Sequence, residues 1–296
     1  MNIGSDSETP NPPNGHEWGE VVNNKKVIWI AKWKHPLTGK DTEITFSLGS
    51  NVKHLGNETK FDKALELGQY IDNIRINYEK DLISNNNVKR EKATILYLID
   101  KYGFRIGNEK DTSKEPDTVG CSTFKSSNVT LDDHTRSVTI SFVGKFNVKC
   151  TEQVYYDRIY ENMKIFKAGK ESQDKLFSVK SNDVNGYISS FGHGFTSKNF
   201  RTYHASRIYD ENLYKYANVT TISFNIKHEQ AAESASKFCK HEELKTVIEN
   251  YIDPRVTWNW CKKHKFSFED LYNKSTYNIL KWAENSSNVS YSQIKI

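Results

Sequence analysis

The sequence predicts an α+β protein, with a small N-terminal β region followed by a mostly α-helical domain that carries one β-hairpin. Residues 25–46 alternate aromatic or branched side chains with polar ones around a Pro/Gly turn, as β-strands do. From Phe61 the apolar residues recur at helical spacing. Clear alternation returns in SVTISFVGKFNVKC, residues 137–150, which predicts two strands joined at Gly144-Lys145.

The other elements follow from local signals. Residues 1–15 are rich in Pro, Asn and Ser, so we expect a flexible arm there, with the β-rich region at 16–60 and the helical domain at 61–296. The first long helix begins at Phe61, and the second ends at Gly103. Further helices are predicted at 153–168, 198–216, 229–244 and 254–264.

Composition narrows the function classes. The 296 residues are 36% hydrophobic and 27% charged, as in a globular protein, and the net charge of +5 is compatible with a nucleic-acid partner without requiring one. Four cysteines without metal-type spacing predict free thiols in a reducing compartment. We expect an intracellular protein without a membrane segment, because no signal peptide or long apolar run occurs.

Two segments carry candidate chemistry. Tyr251 lies two residues before a strong helix start, in which Asp253 is suited to cap the helix and Pro254 to occupy its first position. Arg105 follows a predicted helix end and precedes the polar turn GNEK, residues 107–110, whose donors could face a phosphate. Taken singly, the phenol is explained by packing and the turn by solvation.

Several motifs together resemble the eukaryotic type IB DNA topoisomerases. IGNEK and DTVGC match the family's A-G-N-E-K and D-T-V-G-C, and NFRTYHAS is similar to its F-R-T-Y-N-A-S. NYIDPRVTWNWCKK resembles N-Y-L-D-P-R-I-T-x-x-W-C-K-K, and VGKFNV resembles the hairpin that carries the family's catalytic lysine. The matches keep one order from about residue 10 to 283. The resemblance implies the topoisomerase IB and tyrosine recombinase type of catalytic fold.

The resemblance also implies a mechanism. Tyr251 would attack a DNA phosphodiester and form a 3′-phosphotyrosine, and Arg105 and Arg201 would hold the non-bridging oxygens. Lys145 would protonate the leaving 5′-oxygen. The implied partner is double-stranded DNA, bound by a monomer that needs no ATP, metal or other cofactor. The expected DNA-binding residues are Asn108, Lys110, Lys198 and Asn250.

Two histidines compete for the fifth catalytic position. The family reads C-N-H-Q there, and the segment around His241, CKHE, matches better than IKHE around His228. His241 also lies ten residues before Tyr251, the spacing of the related poxvirus enzymes and tyrosine recombinases. We therefore predict His241, with His228 as the alternative. One continuous helix would hold the two residues about 15 Å apart, so we expect the chain to bend, near Glu249-Asn250.

The sequence departs from the larger family members. It shows no counterpart of their N-terminal cap, and only nine residues separate His241 from Tyr251, too few for their long linker. We expect weaker enclosure of DNA and more salt-sensitive action, as in a compact enzyme of poxvirus size. Phe146 stands where the family usually has Asp, which leaves sensitivity to camptothecin-like poisons open. The protein belongs to a cell or to a large DNA virus on this interpretation, so the expected location is a nucleus, a viral factory or a virion.

The sequence argues against three alternative functions. A tyrosine recombinase typically has His three residues before the second arginine, where this chain has Lys198. A DNA-binding protein that has lost catalysis would lack a catalytic residue, and none is missing from the sequence. A fragment of a split enzyme would lack the tyrosine, but Tyr251 is in the same chain.

Overall fold

The computed structural model describes residues 1–2, 9–24, 29–46, 51–108, 119–144, 148–215 and 223–292, with only the backbone described at 51–54. The chain forms two units, Met1–Glu58 and Thr59–Ile296. The first contains a two-stranded sheet, whereas the second is mostly helical. The α+β class predicted from the change of apolar spacing is confirmed.

The sheet of the first unit is the predicted hairpin. Strands β1 (Trp29–Lys34) and β2 (Asp41–Thr45) are antiparallel, and their connection is closed by the His35 amide, which donates to the Lys40 carbonyl at 2.8 Å. The start of the predicted arm is paired with β1, since the Asn2 amide donates to the Ile30 carbonyl at 2.8 Å. Residues 3–8 of that arm lie outside the described part of the chain.

Two long helices follow the strand region along the chain. Helix α1 (Asn51–Asp81) begins ten residues before the predicted start, and its buried face carries Leu67, Ile71, Ile74 and Tyr78 at helical spacing. Helix α2 (Asn87–Tyr102) is buried throughout residues 93–100. Its predicted end is confirmed, because Gly103 adopts φ +66° and its amide caps the Ile99 carbonyl at 3.1 Å.

A three-stranded antiparallel sheet in the order β3-β4-β5 follows. It contains the predicted hairpin, β4 (Ser137–Val143) and β5 (Lys149–Val154), and one strand that we did not predict, β3 (Val129–Asp132). The hairpin closes where the Gly144 amide donates to the Val148 carbonyl at 2.8 Å. Because β5 extends to Val154, the helix predicted at 153 begins only at 157.

Seven more helices follow in the described part of the chain. They are α3 (Asp157–Lys167), α4 (Ser181–Ser189), α5 (Ser197–Lys215), α6 (Phe224–Phe238), α7 (Leu244–Asn250), α8 (Pro254–His264) and α9 (Lys274–Leu280). Helix α5 contacts α2, α4 and α6 and buries Phe200, Tyr203 and Tyr209. The bounds predicted for α8 are confirmed, whereas α6 ends at 238 rather than 244. No described helix is both long and apolar enough to cross a membrane.

Candidate active site

Tyr251 is held between two helices. It is the first residue beyond α7, and its amide donates to the Val247 carbonyl at 2.9 Å. Its carbonyl accepts a 3.0 Å bond from Ser206 Oγ on α5, which in turn accepts the Asp253 amide at 3.0 Å. These bonds fix the Tyr251 backbone against α5 while its side chain stays partly exposed.

The predicted helix start after Tyr251 is confirmed and is more extensively bonded than a simple cap. Asp253 accepts the Arg255 amide at 3.0 Å, and the Arg255 guanidinium bonds Asp253 again and reaches Asp62 at 2.7 Å. Tyr291 Oη also donates to Asp253, at 3.0 Å. The carboxylate of Asp253 is fully buried, so these donors supply the hydrogen bonds that water cannot. The C-terminal side of Tyr251 is therefore anchored.

Arg201 binds the phenol directly. Its Nη1 donates to Tyr251 Oη at 3.1 Å, its Nη2 donates to the Cys239 carbonyl at 2.6 Å, and its Cζ lies 4.7 Å from the centre of the Tyr251 ring. The residue is only 5% exposed. Its Nε is buried and has no hydrogen-bond partner among the described residues. One donor of a charged, buried group is thus available to an acceptor that the protein does not supply.

Arg105 approaches the same phenol from the segment after α2. This segment is bonded to residues 120–122, since the Cys121 amide donates to the Arg105 carbonyl at 2.9 Å. The two backbones touch where Gly107, at φ +80°, meets Gly120. A Cβ on Gly120 would lie 2.4 Å from the Gly107 nitrogen, which explains physically why both positions are glycine. This close pairing positions the Arg105 side chain.

Arg105 and Arg201 bring two positive charges to the Tyr251 phenol. Burial lowers the pKa of Arg105, the neighbouring positive charge of Arg201 lowers it further, and the Tyr251 phenol acts in the opposite direction. A guanidinium stays charged despite such a shift. Two guanidinium groups therefore converge on one phenol oxygen, an arrangement that suits an anion with several oxygens, such as a phosphate.

Of the two candidate histidines, only His241 lies beside Tyr251, with 6.4 Å between their ring centres. It follows a tight turn in which Lys240 adopts φ +51° and Ser236 Oγ donates to the His241 carbonyl at 2.6 Å. Residues 241–251 do not form one continuous helix, which confirms the prediction that the chain bends between them. The chain turns before α7 as well as at the predicted position, where α7 ends.

His228 is a buried residue of α6. Its Nδ1 lies 2.6 Å from Tyr209 Oη, and burial lowers its pKa to about 4. Its ring also packs edge-on against Tyr272. These contacts are those of a core histidine that stays neutral at pH 7.

The other predicted site residues are distributed as follows. Lys145 and Lys110 lie outside the described residues. The base of the hairpin that carries Lys145 is close to Arg105, because Gly144, Val148 and Arg105 line the same small cavity. Exposed positions around the site are occupied by Asn108, Lys198 and Asn250.

Lys60 is a basic residue near the site that the sequence analysis missed. Its pKa is lowered to about 7, chiefly by burial and also by the positive charge of Lys198, whereas Asp253 acts in the opposite direction. It belongs to no motif, and it lay one residue outside the predicted helix.

In the described parts of the chain, no group of three or more His, Cys, Asp or Glu side chains could hold a metal ion.

Comparison with known proteins decides the family. The model of the eukaryotic DNA topoisomerase I catalytic core matches residues 49–265, and that of the DNA-binding fragment of the same enzymes matches residues 1–46. The chain belongs to the eukaryotic DNA topoisomerase I family. The core match includes every position that the resemblance assigned to catalysis: Arg105, Lys145, Arg201, His241 and Tyr251.

Three relatives named DNA topoisomerase 1 illustrate the family similarity. The Caenorhabditis elegans protein is 29% identical over 98% of this chain and 46% of its own length, and the human protein is 26% identical over 98% and 50%. The Schizosaccharomyces pombe protein is 34% identical over 85% and 31%. The chain thus spans half or less of the length of these relatives. The C. elegans alignment has 375 positions, whereas this chain has 296 residues. The C. elegans protein therefore carries segments that have no counterpart in this chain.

Proposed function

We propose that this chain is a type IB DNA topoisomerase that relaxes positive and negative supercoils by transient cleavage of one strand. The observation that carries the proposal is the convergence of Arg201 and Arg105 on the phenol of Tyr251, with His241 beside it. A phenol that faces two permanent cations is placed to attack a phosphodiester whose growing negative charge those cations stabilise.

The proposed step exchanges one phosphodiester for another. Tyr251 Oη loses its proton to water and attacks phosphorus, the bond from phosphorus to the 5′-oxygen breaks, and a 3′-phosphotyrosine forms. Lys145 supplies the proton to the leaving 5′-oxygen. The free strand end rotates about the intact strand, and attack by the 5′-hydroxyl then reseals the backbone and releases Tyr251. Bond energy is retained in the phosphotyrosine, so the cycle needs neither ATP nor an obligatory metal.

We assign the four predicted DNA-binding residues to contacts with the DNA backbone. Asn108, Lys110, Lys198 and Asn250 would contact phosphates or sugars, and Lys60 would add positive charge next to Lys198. Such contacts orient the duplex without reading its sequence. The protein would act as a monomer wherever duplex DNA is present, in a nucleus or a viral factory.

Plasmid relaxation tests the proposal. Wild type and Tyr251→Phe are incubated with negatively and positively supercoiled plasmid, without ATP and with excess EDTA. We expect wild type to relax both substrates and to leave a protein–DNA adduct when the reaction is stopped with detergent. Tyr251→Phe, which retains the ring but lacks the nucleophile, is expected to do neither while binding DNA normally.

Two results would contradict the proposal. Relaxation by Tyr251→Phe would assign the nucleophile to another residue. Binding of duplex DNA by wild type without adduct formation on any substrate, including libraries of random sequence, would favour a non-catalytic DNA-binding protein.

A further inference from the structure

A buried polar cluster joins the two helices that position Arg105 and Arg201. Asp100 on α2 is 1% exposed and lies 2.7 Å from His204 Nε2 on α5. Asp100 is five residues before Arg105, and His204 is three residues after Arg201. A strong bond between these two side chains therefore connects the supports of both arginines.

The bond is charge-assisted. Arg75 donates to both oxygens of Asp100, at 2.9 and 3.2 Å, and Tyr78 Oη donates at 2.7 Å. Although burial acts against it, bonding to His204 and Arg75 holds the pKa of Asp100 below its usual range. Burial lowers the pKa of His204 more than Asp100 raises it, so the imidazole is neutral. Since Asp100 is the acceptor, Nε2 of His204 carries the hydrogen.

His204 also supports the end of α6. Its ring centre lies 5.0 Å from that of Phe238, whose carbonyl occupies the position that a Cβ on Gly103 would need. The next residue, Cys239, accepts the 2.6 Å bond from Arg201 Nη2. The end of α2, the middle of α5 and the end of α6 thus meet around the His204 ring.

The topoisomerase motif that this chain resembles has Asn at the position of His204. An Asn side chain can donate one hydrogen bond to Asp100, but it has no ring to pack against Phe238. His204 therefore makes both a carboxylate bond and a ring contact, of which an asparagine could make only the first.

We propose that the Asp100–His204 pair is a positioning device that fixes the separation of Arg105 and Arg201 around the Tyr251 phenol. This role rests on the proposed function. Neither side chain of the pair contacts the phenol, so the pair acts through the arginines and sets the rate of strand cleavage rather than the affinity for DNA.

Single-turnover cleavage measures this effect. The substrate is a duplex whose cleaved end dissociates, at saturating protein, and the variants are His204→Ala, His204→Asn and the control Asn162→Ala. The control removes buried bonds of 3.0 and 3.1 Å to the Leu82 carbonyl and to Thr94 of α2. We expect His204→Ala to cleave about 10- to 100-fold more slowly with DNA affinity within about threefold of wild type. His204→Asn should recover part of the rate, and the control should retain it.

Two outcomes overturn the proposal: a His204→Ala rate within threefold of wild type, or an equal loss of rate in Asn162→Ala. Amide hydrogen exchange separates this question from the proposed function, because it needs no cleavage. Peptides covering 103–108 and 236–241 should exchange faster in His204→Ala than in wild type or the control. If wild type forms no DNA adduct, the proposed function fails, and unchanged exchange in these peptides would then still refute the positioning role.

Discussion

Nη1 of Arg201 donates to Tyr251 Oη at 3.1 Å while Nη2 of the same guanidinium is fixed on the Cys239 carbonyl at 2.6 Å. The side chain is therefore oriented by the protein before any DNA is bound. A fixed donor costs no reorganisation when charge develops on a phosphate, so its value lies in the rate of reaction rather than in ground-state binding.

Replacing Arg201 with lysine tests this geometry. The charge is retained, but an ammonium cannot bond Cys239 and Tyr251 in the same forked arrangement. We expect the single-turnover cleavage rate to fall about 100- to 1,000-fold, as when one transition-state donor is lost, with DNA affinity nearly unchanged. Arg207→Lys is the matched control, because Arg207 lies on the same helix and pairs with Glu211 at 3.3 Å. An equal loss in both variants would show a general effect on α5.

The two histidines are expected to respond differently to the same substitution. His241→Gln should slow strand cleavage about 100-fold with little change in stability, because the ring lies at the phenol. His228→Gln should leave cleavage nearly unchanged but lower the free energy of unfolding by about 1–3 kcal/mol, because its buried bond to Tyr209 is disturbed. Cleavage assays and urea unfolding on both variants decide the assignment. A cleavage defect confined to His228→Gln would reverse it.

His228 also predicts a dependence of stability on pH. Its folded pKa of about 4 is below the value of about 6.5 in an unfolded chain, so between these values the unfolded state binds more protons. The neutral, buried His228 therefore contributes fully to the free energy of unfolding above pH 6.5, and this contribution is lost as pH falls towards 4. From pH 7 to pH 5 the loss is about 2 kcal/mol. Urea unfolding at both pH values should show this loss in wild type and a smaller one in His228→Gln; equal losses would contradict the assignment.

Local signals in the sequence predicted the helix ends next to the site. Gly103 and the Asp253-Pro254 pair act on their own backbone neighbours, so their effect is readable from a few residues. The start of α1 was missed because residues 51–60 carry little apolar periodicity, and with it Lys60 was missed.

The arrangement of the site was harder to predict from the sequence. The turn that brings His241 to Tyr251 depends on Lys240 in a left-handed conformation, for which lysine gives no signal. The bond from Arg201 to the Cys239 carbonyl joins residues 38 apart and exists only after the helices pack. The roles of the catalytic residues came from the family resemblance, whereas spacing alone predicted only a capped helix after Tyr251 and a polar turn after Arg105.

Gly103→Ala is expected to be far more harmful than a typical glycine substitution. Gly103 has φ +66°, and a Cβ there would lie 2.2 Å from the Phe238 carbonyl oxygen, so α6 would have to move. Gly169 has a similar φ of +71° with nothing within 4 Å of its Cβ position. Gly169→Ala should therefore cost about 1 kcal/mol of unfolding free energy, from backbone strain alone. For Gly103→Ala we expect about 3 kcal/mol or more. If urea unfolding showed similar losses of free energy for the two variants, α6 would be able to move away from Gly103 with little loss of stability.

Lys60 should make DNA binding depend on pH. In the free protein its pKa is about 7, because burial and Lys198 disfavour the charged form. A bound phosphate favours the ammonium, so the complex takes up a proton above pH 7 and affinity falls as pH rises. Between pH 7 and 8.5 we expect wild type to lose several-fold more affinity than Lys60→Met, which carries no charge at either pH. Fluorescence anisotropy with a labelled duplex at constant ionic strength measures both slopes, and constant salt is essential because phosphate contacts are screened. Identical slopes would show that Lys60 does not contact the DNA backbone and would leave the phosphate contacts to residues such as Lys198.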